Sequence, residues 1–100
     1  MTEAPLPADT LLSRHPEAAA SRVGDETVIL HLESGIYFGL DPVGTRIWEL
    51  LDAPMTLAAL KARLMGEFAV AEDVLSADVA AFLGQMLGHG ILRRGPGPAP

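Results

Sequence analysis

The stretch TVILHLESGIYFGLDPVGTRIWELL, residues 27–51, decides how this chain is read. Thr27 to Leu32 is a run of β-branched and aliphatic residues without helical spacing, and Ile36 to Leu40 repeats that extended character after a Glu33-Ser34-Gly35 turn. Glycine closes the turn where a positive φ is needed. The two runs predict a hairpin. Alternation sets Val28, Leu30 and Leu32 on one face and Thr27, Ile29 and His31 on the other, while Ile36, Phe38 and Leu40 share a face in the second run. Gly39 inside a strand predicts a bulge or a close backbone approach.

The hairpin gives way at once to a helix. Asp41 is placed to accept a first-turn amide as N-cap, and Pro42 fits the first helical position, where no donor is missed. Val43, Ile47, Leu50 and Leu51 then fall on one helical face, with Trp48 beside them as a core residue. Asp52-Ala53-Pro54 stops this helix, and Thr56 caps a second one striped by Leu57, Leu60, Leu64 and Phe68. A third is predicted from Glu72 to Leu87, with two acids at its positive end and a stripe of Leu75, Val79, Phe82, Leu83 and Met86. Gly88 and Gly90 end it, and Ile91-Leu92 returns as a short extended piece.

Upstream, Ala18 to Val23 reads as a weaker strand that pairs with the hairpin across a Gly24-Asp25 turn. Residues 1–17 hold Pro5, Pro7 and Pro16 without any period, which predicts a flexible arm. At the far end, residues 95–100, GPGPAP, offer no side chains to bury and are expected to be disordered. The sum is an α+β domain over residues 18–94, with an N-terminal three-stranded antiparallel sheet followed by three helices. That β-β-β-α-α-α order is winged-helix-like.

Composition narrows the function. One hundred residues, 49% apolar, make one domain, and the absence of cysteine excludes disulfides and thiolate metal sites. No signal-like start and no apolar run of about 18 residues occur, so a cytoplasmic chain with no membrane span is expected. A net charge of −6 opposes nucleic acid. Glu72, Asp73 and Asp78 stand on the helix that a DNA-reading winged helix would use for recognition, where Arg, Lys, Asn or Gln would be needed.

Catalytic patterns are missing. His15, His31 and His89 are isolated and lack the spacing of a local zinc site, and Gly35, Gly39 and Gly44 do not make a dinucleotide loop. No nucleophile elbow or phosphate loop appears, so neither an enzyme nor a cofactor is expected. The feature left over is Ile36 to Leu40, an apolar strand with no charge or proline to guard its edge. It is covered by the N-terminal arm or it receives a strand from a partner.

The run LHLESGIYFGLDPVGTRIWELL, with the later DVAAFLGQMLGHGIL, resembles the PqqD-like family of precursor-peptide recognition elements over about residues 18–94. That resemblance implies a non-catalytic domain that binds the leader of a ribosomally made precursor peptide and delivers it to modifying enzymes. It further implies that the leader adds as a strand to the third strand and packs against the third helix. Carried over, the peptide-binding positions are Ile36, Tyr37, Phe38, Gly39 and Leu40 on the strand, with Leu75, Asp78, Val79, Phe82 and Met86 on the helix. The length resembles the free-standing leader-binding proteins of lasso-peptide clusters, whose partners are a leader protease and a cyclase; a radical enzyme marks another branch. Competing readings are a winged-helix DNA-binding regulator and a module that forms a homodimer through the same strand edge.

Overall fold

The computed structural model describes residues 6–24 and 26–95. Nine elements follow in order: β1 Leu11–Arg14, β2 Ala18–Val23, β3 Glu26–His31, β4 Tyr37–Leu40, α1 Pro42–Leu50, β5 Met55–Thr56, α2 Leu57–Glu67, α3 Glu72–Gly88 and β6 Leu92–Arg94. The fold is α+β, and the three-stranded antiparallel sheet expected from the sequence is β2-β3-β4, in that order. Gly35 takes φ +74° in the β3–β4 turn, a backbone state that an L side chain rarely adopts.

Local signals place the helix starts. Asp41 Oδ1 accepts from Gly44 N–H at 2.7 Å, Thr56 Oγ1 accepts from Ala59 N–H at 3.2 Å, and Pro42 occupies the first turn of α1. Helix α3 starts at Ala71 without a side-chain cap, and the acids Glu72 and Asp73 supply the favourable charge at its first turn instead.

A second three-stranded sheet, ordered β5-β1-β6, was not foreseen. Within residues 1–17, expected as a flexible arm, Leu11–Arg14 pairs antiparallel with Met55–Thr56 on one side and Leu92–Arg94 on the other. Leu12 is wholly buried, and Ser13 donates from its hydroxyl to Gly95 O at 2.7 Å. Gly95 N–H in turn bonds Leu11 O at 2.8 Å, so the first residue of the tail expected to be disordered is tied down; residues 96–100 lie outside the described residues. Strands of two to four residues carry too little periodicity to be read locally. Their partners lie far along the chain.

One core joins both sheets to the helices. Leu12, Ile29, Ile47, Leu60, Leu64, Val79, Leu83 and Ile91 are each fully removed from solvent. Trp48 is buried as expected, and Arg14 of β1 lies over its ring at 4.3 Å while donating from Nε to Trp48 O at 3.0 Å. Arg14 also pairs with Asp52 at 3.6 Å; burial pushes its guanidinium below the ordinary value, against the raising influence of Asp52 and Glu49. The N-terminal strand is thereby clamped to α1.

The β3 faces resolve against the simplest hydropathy. Thr27, Ile29 and His31 point inward, while Leu30 and Leu32 are exposed and Val28 is half-buried. On β4, Leu40 is buried and Phe38 half-buried, whereas Tyr37 is 71% exposed. Ile36, expected to share a face with Phe38 and Leu40, is exposed just before the strand begins. Register runs without interruption from Leu30–Tyr37 to Thr27–Leu40, so Gly39 makes no bulge. Among the described residues no helix is long and apolar enough to cross a membrane.

Candidate functional site

Strand β4 is an edge: it pairs with β3 on one side and with no strand among the described residues on the other. The described part of the N-terminal arm bonds elsewhere, through Thr10 and Ala8 carbonyls to the start of α2 and through β1 to its own sheet. Antiparallel ladders bond alternate residues to alternate sides. His31 N–H bonds Ile36 O at 2.9 Å, and that phase assigns Phe38 and Leu40 to the bonds with β3. The main-chain groups of Tyr37 and Gly39 therefore face the open edge.

Beside that edge lies a groove of about 370 Å³ between β4 and α3. Its lining is Phe38, Gly39, Leu40 and Asp41 on one wall and Asp78, Ala81, Phe82, Gln85 and Met86 on the other. On α3 the positions Asp78, Ala81, Phe82 and Gln85 follow i, i+3, i+4, i+7, a second helical face adjoining the core stripe. Phe82 and Met86 sit at the seam between the two faces. Phe82 is half-buried, and its ring reaches α1 so closely that a Cβ on Gly44 would stand 2.8 Å from Cε1. Gly44 is thus the residue that lets Phe82 lie where it does.

Of the ten residues expected at the site, six line this groove: Phe38, Gly39, Leu40, Asp78, Phe82 and Met86. Ile36 and Tyr37 are exposed and outside it; Tyr37 belongs to the open edge. Leu75 and Val79 do not line it: they are 2% and 0% exposed and form the core behind the helical wall. The stripe that buries a helix and the face that borders a groove differ by one position, and periodicity alone does not separate them. Asp41, Ala81 and Gln85 were missed; the spacing from Asp78 carried the signal for the two on α3. His89, just past α3, lays its ring 4.9 Å from that of Phe38.

His15 and His31 approach to 5.6 Å between ring centroids, away from the groove lining, and each accepts a backbone amide at Nδ1, from Glu17 and Ser34 respectively. Among the described residues no three His, Asp or Glu converge as metal ligands would.

The sequence profile of the family described as coenzyme PQQ synthesis protein D (PqqD) matches residues 26–92. This chain belongs to the PqqD family. Two solved structures share its fold. The first is TbiB1 in complex with the TbiA(beta) leader peptide, 30% identical, with a TM-score of 0.70 over 80% of this chain and 93% of that one. The second is lasso peptide synthetase B1 complexed with the leader peptide, 22% identical, with a TM-score of 0.65 over 81% of this chain and 95% of that one. A search of curated protein sequences finds no match. The PqqD match begins at the first residue of β3 and ends in β6, so it contains both walls of the groove.

Proposed function

We propose that this PqqD-family chain is a non-catalytic recognition protein that binds the leader segment of a ribosomally synthesised precursor peptide. The leader adds as a strand to the open edge of β4, and its inward side chains enter the groove against α3. One observation carries the reading: the unpaired main-chain groups of Tyr37 and Gly39 flank a groove walled by Phe82 and Met86. Main-chain bonds supply affinity in such β-augmentation, and the side-chain groove supplies selectivity. A volume of about 370 Å³ accommodates a few side chains of an extended segment.

The contact residues under this reading are Tyr37, Phe38, Gly39 and Leu40 on the strand and Asp78, Phe82 and Met86 on the helix. Leu75 and Val79 support the wall from behind. Likeness to a leader-bound protein at 30% identity favours a peptide ligand, and a leader protease and a cyclase, or a radical enzyme, are the proposed recipients. The complex forms in the cytoplasm, where its ribosomal ligand is made. A duplex-reading role would set Asp78 and Gln85 of α3 against phosphates with no cation in the groove lining, which disfavours it.

Amide hydrogen exchange tests the edge directly. Adding a synthetic leader from the precursor encoded beside this chain should slow exchange at the Tyr37 and Gly39 amides and leave those of Ala20 and Arg22 on the opposite edge unchanged. Unchanged exchange at Tyr37 and Gly39 in a saturated complex would refute strand addition on β4.

A further inference from the structure

The polar groups that border the groove are two carboxylates, Asp41 and Asp78, and the amide of Gln85; no Lys or Arg lines it. Among the described residues the ion pairs lie elsewhere: Arg14 pairs with Asp52, Arg46 with Glu49 and Glu67, and Arg63 with Glu67. Among the described residues neither groove carboxylate enters an ion pair. Asp41 spends Oδ1 on the Gly44 amide, while Asp78 takes part in no side-chain hydrogen bond among the described residues. In the free protein Asp78 is solvated at the groove's rim. A peptide laid over that rim strips water from the carboxylate, and burial of an unpaired charge is costly unless the partner supplies a donor.

The two walls also set a spacing. Residues 38–41 extend over roughly 10 Å of strand and residues 78–86 over roughly 12 Å of helix, so they border one groove along comparable lengths. Asp78 and Phe82 are four helical residues apart, roughly 6 Å of rise. Alternate residues of a strand advance by roughly 6.6 Å and point to the same side. Where an added strand runs along α3, one inward side chain meets Asp78 while its neighbour two residues away meets Phe82.

We propose that the segment bound in this groove carries a Lys or Arg that pairs with Asp78, two residues from a large apolar side chain that packs among Phe38, Phe82 and Met86. This deepens the leader-binding reading and rests on it: it assigns Asp78 as the residue that selects a basic leader. The net charge of −6 acts in the same direction by steering a cationic segment toward the surface.

Random dodecapeptides displayed on phage and selected against the full chain provide the test, in parallel with selections on Asp78→Asn and Asp78→Lys. Asp78 is exposed, so both variants should fold. Wild-type pools should enrich Lys or Arg two positions from Leu, Ile, Phe or Tyr; the Asn variant should lose only the basic preference, and the Lys variant should turn it to Asp or Glu. A selected basic peptide should bind Asp78→Asn roughly fivefold more weakly, and replacing its basic residue with norleucine should cost no more when Asp78 is already changed. A basic preference that survives both substitutions, or pools that are apolar without one, overturns the selectivity assignment and leaves leader binding standing. Selected peptides whose capture is untouched by Phe82→Asp would overturn the groove reading itself.

Discussion

The β2-β3-β4 sheet has two edges, and they differ in what stands behind them. Strand β2, Ala-Ala-Ala-Ser-Arg-Val, is exposed from Ala19 to Val23 and carries a charged Arg22. Strand β4, Tyr-Phe-Gly-Leu, has no charge, buries Leu40, half-buries Phe38, and lies beside the Phe82 wall of α3. Both edges offer unpaired main-chain groups. Among the described residues β4 couples them to a groove walled by α3, and β2 does not. A charge on a short edge is a common guard against unwanted pairing, and β6 of the other sheet, Leu-Arg-Arg, shows the same device.

Removing the wall should break the difference most completely. Phe82→Asp is expected to weaken leader binding by about 2–4 kcal/mol, the scale of an interface hot spot, while circular dichroism shows a folded protein. Titration calorimetry giving wild-type affinity would remove α3 from the site. A matched pair of proline substitutions comes next. Proline is tolerated on an edge strand where the lost N–H faces outward. Tyr37→Pro should cost about 1–2 kcal/mol of leader affinity, whereas Ala20→Pro, which removes an outward amide from β2, should leave affinity unchanged. Equal losses would mean that the two edges are not distinguished by main-chain pairing.

Gly44→Ala probes the wall more gently. Its new methyl would meet the end of the Phe82 ring, which can swing away, so the fold should survive with a stability change within about 2 kcal/mol. Leader affinity should fall roughly threefold to tenfold as the ring moves into the groove. The smallest effect lies far from both edges. The hydrogen bond from Arg46 holds the Glu67 carboxyl below its ordinary value, and Arg46 is correspondingly raised by that same bond. A depressed folded-state carboxyl contributes stability above its unfolded value and loses it as pH falls through the folded one. Urea unfolding of Arg46→Met should therefore differ slightly from wild type at pH 7 and converge with it under acid, with leader affinity at pH 7 unaffected.

Much of the half of the fold that carries the groove is local and was legible. The hairpin about Gly35, the Asp41 and Thr56 caps, and the three helical stripes all rest on contacts within a few residues. The groove was legible in outline, since β4 reads as an unguarded apolar strand and Phe82 stands on the stripe of α3. Its detail was not. Leu75 and Val79 share that stripe yet face the core, Ala81 and Gln85 enter the groove only because α3 is rotated to place them there, and Asp41 borders it from the start of α1.

Sequence alone determined the type of each long element, the absence of disulfide chemistry and the acidic balance of the chain. Tertiary structure alone decided that Leu11–Arg14 joins Met55–Thr56 and Leu92–Arg94, because strands this short acquire identity only from partners far along the chain. It also turned Thr27, Ile29 and His31 inward and left Leu30 and Leu32 in water, against hydropathy. Alternation divides a strand into two faces, but which face is buried depends on the side where the helices pack. The same packing put α3 beside β4 and made one edge a groove.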